Sequence, residues 1–70
     1  MAKQTLAMFI TKQEGGRRTY TLMNRYEEIV DTITVMDAGQ GAARAHELAK
    51  QKYNVSQAQW AYDLARKHGI

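Results

Sequence analysis

This chain has no cysteine and no proline, and serine occurs once, at Ser56. Without cysteine, no disulfide can staple the fold and no thiolate can hold a metal. That suits a reducing compartment, and the default reading is a cytoplasmic protein. The apolar runs fall far short of the roughly 20 residues that a membrane-spanning helix needs, so no membrane partner is expected. Met1 to Ile10 carries Lys3 and has neither a continuous apolar stretch nor a small-residue cleavage site, so it reads as structure rather than as a secretion signal. His46 and His68 are the only histidines, on different predicted helices, and they make no four-ligand zinc set. No cofactor is expected either. No carboxylate pair or serine–histidine arrangement stands out, and a chain of 70 residues barely provides a cleft. The expectation is a non-enzyme.

What is present is one small domain over residues 1–70. A chain this short buries only about 60% of the surface that its unfolded form exposes. Its core must suffice alone or be helped by a partner, including a second copy of itself. The net charge of +3 and pI near 9.5 permit contact with phosphates or with an acidic protein surface. The distribution says more than the sum. Lys3, Lys12, Arg17, Arg18 and Arg25 face only Glu14 in the first part of the chain. Glu27, Glu28, Asp31 and Asp37 then follow without a base among them, and the remainder turns basic again. Nucleic acid would have to approach from one of the basic flanks.

Leu6, Met8 and Ile10 alternate with Ala7 and Phe9, and Tyr20 alternates with Leu22. Two such runs around Gly15-Gly16 predict a hairpin, because glycine supplies the positive φ of hairpin turns. Arg17 and Arg18 would sit exposed beside that turn. The stretch from Asn24 to Met36 fits two patterns. Asn24 with Glu27 resembles a helix start, whereas Ile29, Val30, Thr32, Ile33, Thr34 and Val35 are β-branched and suit a pleated surface. We take a third strand over Ile29 to Met36. Asp37, with Gln40 reaching back, would cap the next element, and regular helix is expected from about Ala42 to Tyr53. Ala42, Ala45, Leu48, Ala49 and Tyr53 mark its inward face, whose mostly small residues allow close approach to a sheet. Asn54 would end it in a left-handed conformation. Ser56 with Gln59 makes a capping box, and Val55 and Trp60 stand at the staple positions. In the helix that follows, Trp60, Ala61, Leu64 and Ala65 face inward, and Arg66, Lys67 and His68 complement the dipole before Gly69. The expected fold is therefore α+β: a three-stranded antiparallel meander over residues 1–36, covered on one face by two helices within residues 37–70.

Glu47-Leu48-Ala49-Lys50, then Asn54-Val55-Ser56-Gln57-Ala58, then Trp60 and Leu64, resembles the helix-turn-helix of bacterial regulators. In that family a Leu-Ala pair ends the first helix, a Val-Ser enters the second, and apolar residues follow the valine at five and nine positions. The resemblance covers about twenty residues, under a third of the chain. The segment from Ala49 to Val55 is one residue longer than the family's turn, Asn54 replaces its glycine, and Trp60 is bulkier than its usual Val or Ile. The resemblance implies a second helix in the major groove, with Gln57, Gln59, Tyr62, Asp63 and Arg66 on its free side. Glutamine would meet adenine and arginine guanine, while Asp63 would pair with Lys67 one turn on. The alternative is a solvated polar face on a helical hairpin.

Lys12, Arg17, Arg18 and Arg25, with Tyr20 and Tyr26 among them, are placed to grip phosphates and stack on bases. The same residues also fit an edge kept soluble by its charges. Gly39-Gln40-Gly41 looks like a phosphate-binding turn, but Arg44 occupies a position where the dinucleotide pattern wants glycine or alanine. Two functions follow. One is a regulatory module acting on nucleic acid or transcription machinery through the helix pair and basic hairpin. The other is a small inhibitor or adaptor, of the kind compact phage genomes encode, that docks on a larger complex such as RNA polymerase, a nuclease or a defence complex.

Overall fold

The computed structural model describes residues 2–36 and 41–70. The expected cap at Asp37 with Gln40, and the turn through Gly39, lie outside the described residues. In chain order the elements are β1 (Gln4–Glu14), β2 (Arg17–Met23), β3 (Ile29–Met36), α1 (Gly41–Lys52), β4 (Tyr53–Val55) and α2 (Gln59–His68). The α+β class holds, as do the antiparallel meander and the two C-terminal helices. The sheet, however, has four strands in the order β3-β2-β1-β4.

The hairpin closes where Glu14 pairs with Arg17. Gly15 and Gly16 form its two-residue loop at φ 55° and 82°, and such a loop matches the twist of the flanking strands. The link from β2 to β3 is organised by Asn24. Its side-chain carbonyl accepts the N–H groups of Tyr26 at 2.9 Å and Glu28 at 3.0 Å, so the residue that resembled a helix start holds a turn. Glu27 takes φ 63° there. The β-branched run after it pairs with β2 over Ile29 to Met36.

β4 is the first correction. Asn54 was expected to break the helix in a left-handed conformation, yet Tyr53–Val55 pairs in parallel with Gln4, Thr5 and Leu6. The outer edge of β1 would otherwise leave backbone groups unpaired, and the Ser56 N–H extends the pairing by donating to the Leu6 carbonyl at 2.8 Å.

The second correction concerns the helices, which lie on opposite faces of the sheet. Leu6 and Leu22 pack with Ala49, and Tyr20 and Val35 pack with Ala45, all beneath α1. Ala7, Phe9 and Met23 instead pack with Ala61 and Leu64 of α2. Alternate residues of a strand point to opposite faces, so Leu6 and Ala7 cannot share a helix. The two helices are thus joined through a strand and a turn in place of the short turn expected.

The start of α2 also differs. Its N-cap is Ala58, with no side-chain cap bond. Ser56 Oγ accepts the Ala58 N–H at 3.1 Å, and Gln59 Nε2 donates to Asp63 Oδ1 at 3.0 Å. Seating Ser56 against β1 moves it too far back for the capping box. The inward face is as expected: Ala61 and Leu64 are buried, with Trp60 and Ala65 packed against their cluster. Among the described residues no helix is long and apolar enough to cross a membrane.

Candidate nucleic-acid interface

A one-residue irregularity in β1 builds the surface of most interest. Ile10 pairs with Tyr20, but Lys12 pairs with Thr19, leaving Thr11 as an extra residue. Such a bulge re-aims every side chain beyond it. Without it Lys12 would fall on the α1 side with Met8 and Ile10. With it, Lys12 and Glu14 join Arg17 and Thr19 on the α2 side. Phe9 and Thr21 are register partners on that same side.

α2 covers only the lower half of its face, over Ala7, Phe9 and Met23. The upper half is lined by hydroxyls and charges. Thr11 and Thr21 share a hydrogen bond at 2.8 Å, and Thr19 and Thr34 share one across β2 and β3 at 3.2 Å. Thr32 and Thr34 are exposed. Lys12, Glu14, Arg17, Thr19 and Thr34 surround an open concavity of about 200 Å³.

The charges are unevenly committed. Lys12 pairs with Glu14 at 3.2 Å, both well exposed, and an exposed pair of this kind contributes little to stability. Arg17, Arg25 and Arg66 have no ion-pair partner among the described residues. Lys67 was expected to meet Asp63; instead its Nζ donates to Glu27 Oε1 at 2.9 Å, as does His68 Nε2 at 2.9 Å. These bonds, the one from Lys67 above all, hold the Glu27 carboxyl below its ordinary range. They tie the β2–β3 turn to the end of α2, where the His68 ring also stacks on Phe9 at 6.3 Å. From there the Ile70 N–H donates to the Ile10 carbonyl at 3.0 Å, so the segment after α2 meets β1 beside its bulge.

On the α1 side, the Tyr53 hydroxyl donates to Asp31 Oδ2 at 2.8 Å. This bond joins the two outermost strands, which requires a curled sheet. Tyr53, and then the Thr32 N–H, hold the Asp31 carboxyl below its ordinary range, while Asp31 pushes the Tyr53 phenol up.

The expected site residues divide. Lys12 and Arg17 come together on the open half-face. Gln57 and Gln59 are exposed at the entry to α2, and Tyr62 and Arg66 are exposed along it. Arg25 and Tyr26 are exposed in the β2–β3 turn, away from Arg17 at the other end of β2. Two residues are corrected. Tyr20 is only 4% exposed, packed with Val35 and Ala45 and set edge-on to His46, so it cannot stack on a base. Arg18 is half-buried and shares the α1 side with Gln13 and Val35, not the surface of Arg17. What the sequence reading missed is the threonine row. Arg17, Thr19 and Thr21 alternate with Arg18, Tyr20 and Leu22, a period-two pattern that marks one polar and one apolar face.

Comparison with protein-family models, with curated proteins and with solved structures finds no match for this chain.

Proposed function

We propose that this protein is a non-enzymatic binding module for nucleic acid that works through the open upper half of its sheet, flanked by the free side of α2. The observation that carries this reading is the bulge at Thr11. It sends Lys12 to the side of Arg17, Thr19 and Thr34, where α2 does not reach. An antiparallel sheet often leaves one face to solvent. Here that half-face offers short hydroxyl donors and acceptors with arginine and lysine, the side chains that bond phosphate oxygens and base edges. Arg66 and Gln59 of α2, with Gln57 just before it, would extend the contact along the phosphate backbone, a backbone-positioning role rather than that of a recognition helix in the groove.

The test is a titration with a fluorescently labelled 24-base-pair DNA at low and moderate salt. Affinity should fall steeply with salt, with a log–log slope of about −0.9 for each phosphate neutralised. Arg17→Ala and Lys12→Ala should each reduce that slope by about one. Absence of binding at low salt to DNA and RNA alike would remove this reading.

A second reading, docking on a larger protein complex, draws on a different observation. Tyr26, Ile29 and Met36 are 76%, 65% and 62% exposed in or beside the edge strand β3. Capture of a protein from nuclease-treated extract, lost on Ile29→Asp with Met36→Asp, would favour it.

A further inference from the structure

Resting on the nucleic-acid reading above, we infer that the ligand class is duplex DNA, met in its major groove by the threonine face, and not single-stranded nucleic acid or duplex RNA. Proteins that hold single strands on a sheet do so by stacking bases on exposed aromatic side chains. This face has none to offer. Phe9 is buried under α2 and Tyr20 under α1, and Trp60 packs against the core cluster. The exposed rings of Tyr26 and Tyr62 belong to the β2–β3 turn and to α2. The half-face itself presents Lys12, Glu14, Arg17, Thr19, Thr32 and Thr34, with Met36 as its one exposed large apolar side chain, opposite Arg17 at the edge.

Threonine suits base edges read without unstacking. Its hydroxyl both donates and accepts, its methyl can meet the thymine methyl, and its branched Cβ holds few rotamers. Thr19 and Thr34 are already fixed side by side by their mutual hydrogen bond. The size fits as well. Thr19, Thr32 and Thr34 all lie on the β2–β3 pair, a two-stranded ribbon of the kind that the major groove of B-form DNA, about 12 Å wide, admits. The major groove of A-form RNA is too narrow and deep for side chains to read. Arg17 and Lys12 lie at the hairpin end of the face, where the groove walls bring phosphates. Glu14, whose carboxylate reaches Lys12, opposes them and moderates affinity.

The experiment is competition against the labelled 24-base-pair DNA, using unlabelled DNA duplex, the corresponding single strand and the RNA duplex of equal length. A second arm measures duplex binding by Thr19→Ala/Thr34→Ala, with its fold checked by circular dichroism. DNA duplex should compete about tenfold better than either alternative. The double variant, folded, should lose about tenfold in duplex affinity, as expected for lost base-edge contacts. Single strands or RNA competing equally would overturn this inference while leaving the nucleic-acid reading in place. A folded double variant binding at full strength would also overturn it. Failure of every nucleic acid to bind would overturn both.

Discussion

The two faces of the sheet put one set of strands to different uses. Beneath α1 the surface is apolar from Leu6 and Leu22 at one end to Tyr20 and Val35 further along, and the small side chains of Ala45 and Ala49 let the helix settle closely upon it. The opposite face is buried and apolar where α2 lies; beyond Phe9 it changes to threonine, lysine and arginine, with Met36 exposed at the edge beside Arg17. A domain this small has little stability to spare, and a longer α2 stripe over an apolar upper half would enlarge the core. The α1 face thus serves the fold, whereas the α2 face is divided between the core cluster beneath its helix and an exposed polar upper half.

Substitutions that act on one face only should sharpen that contrast. The largest effect is expected at Leu22, which is fully buried on the α1 face. Leu22→Ala should cost about 2–5 kcal/mol by urea denaturation, through lost burial and the cavity left behind. Gly69→Ala should come next. A Cβ there would lie 2.4 Å from the Ala65 carbonyl oxygen and 3.4 Å from that of Ile10. The backbone at Gly69 would have to shift away from the Ala65 carbonyl, disturbing the Ile70 bond to β1, at a cost of about 1–3 kcal/mol.

Acid should weaken the two carboxylate anchors. The Glu27 and Asp31 carboxyls sit lower in the folded chain than in the unfolded one. Their contribution is therefore complete above the ordinary carboxylate range and is lost as pH falls through the depressed values. Glu27→Gln should flatten the acid side of a melting-temperature profile, and Tyr53→Phe should flatten it on the α1 side. In alkali the raised Tyr53 phenol favours the folded state until pH climbs through its folded value, so Tyr53→Phe should also remove that loss. The smallest effect on stability is expected for Thr19→Val with Thr34→Val, within about 0.5 kcal/mol. A large loss of stability in that variant would mean that the open face is structural after all.

Much of this fold was legible in the chain. Gly15-Gly16 between alternating runs marks the hairpin, and the β-branched stretch after Glu28 marks the third strand. The inward face of α2 follows from its apolar spacing, and that of α1 does at Ala45, Leu48 and Ala49, whereas Ala42 is exposed and Tyr53 belongs to β4. The placement of the helices on opposite faces departs from the expectation, although Leu6-Ala7-Met8-Phe9-Ile10 carries the signal. Five successive apolar residues in a strand imply cover on both faces, which two helices on one side cannot give. β4 was hidden because three residues are too few for a period, and their pairing depends on an edge some fifty residues away in the chain. The site was legible only in part. Arg17 alternating with Thr19 and Thr21 is a local pattern, but the turnover of Lys12 depends on a bulge that no local residue preference announces. Tyr20 was misread because basic neighbours suggested a surface, whereas strand alternation sends it beneath α1 with Leu22.

The most direct measurement is an amide chemical-shift map of the protein titrated with the DNA duplex. Binding through the open half-face predicts that the largest shifts fall at Lys12, Arg17, Thr19 and Thr34, with smaller ones along the outer side of α2 at Gln59 and Arg66. Shifts gathered instead on the outer side of α1, around Ala43, Glu47 and Lys50, would contradict it.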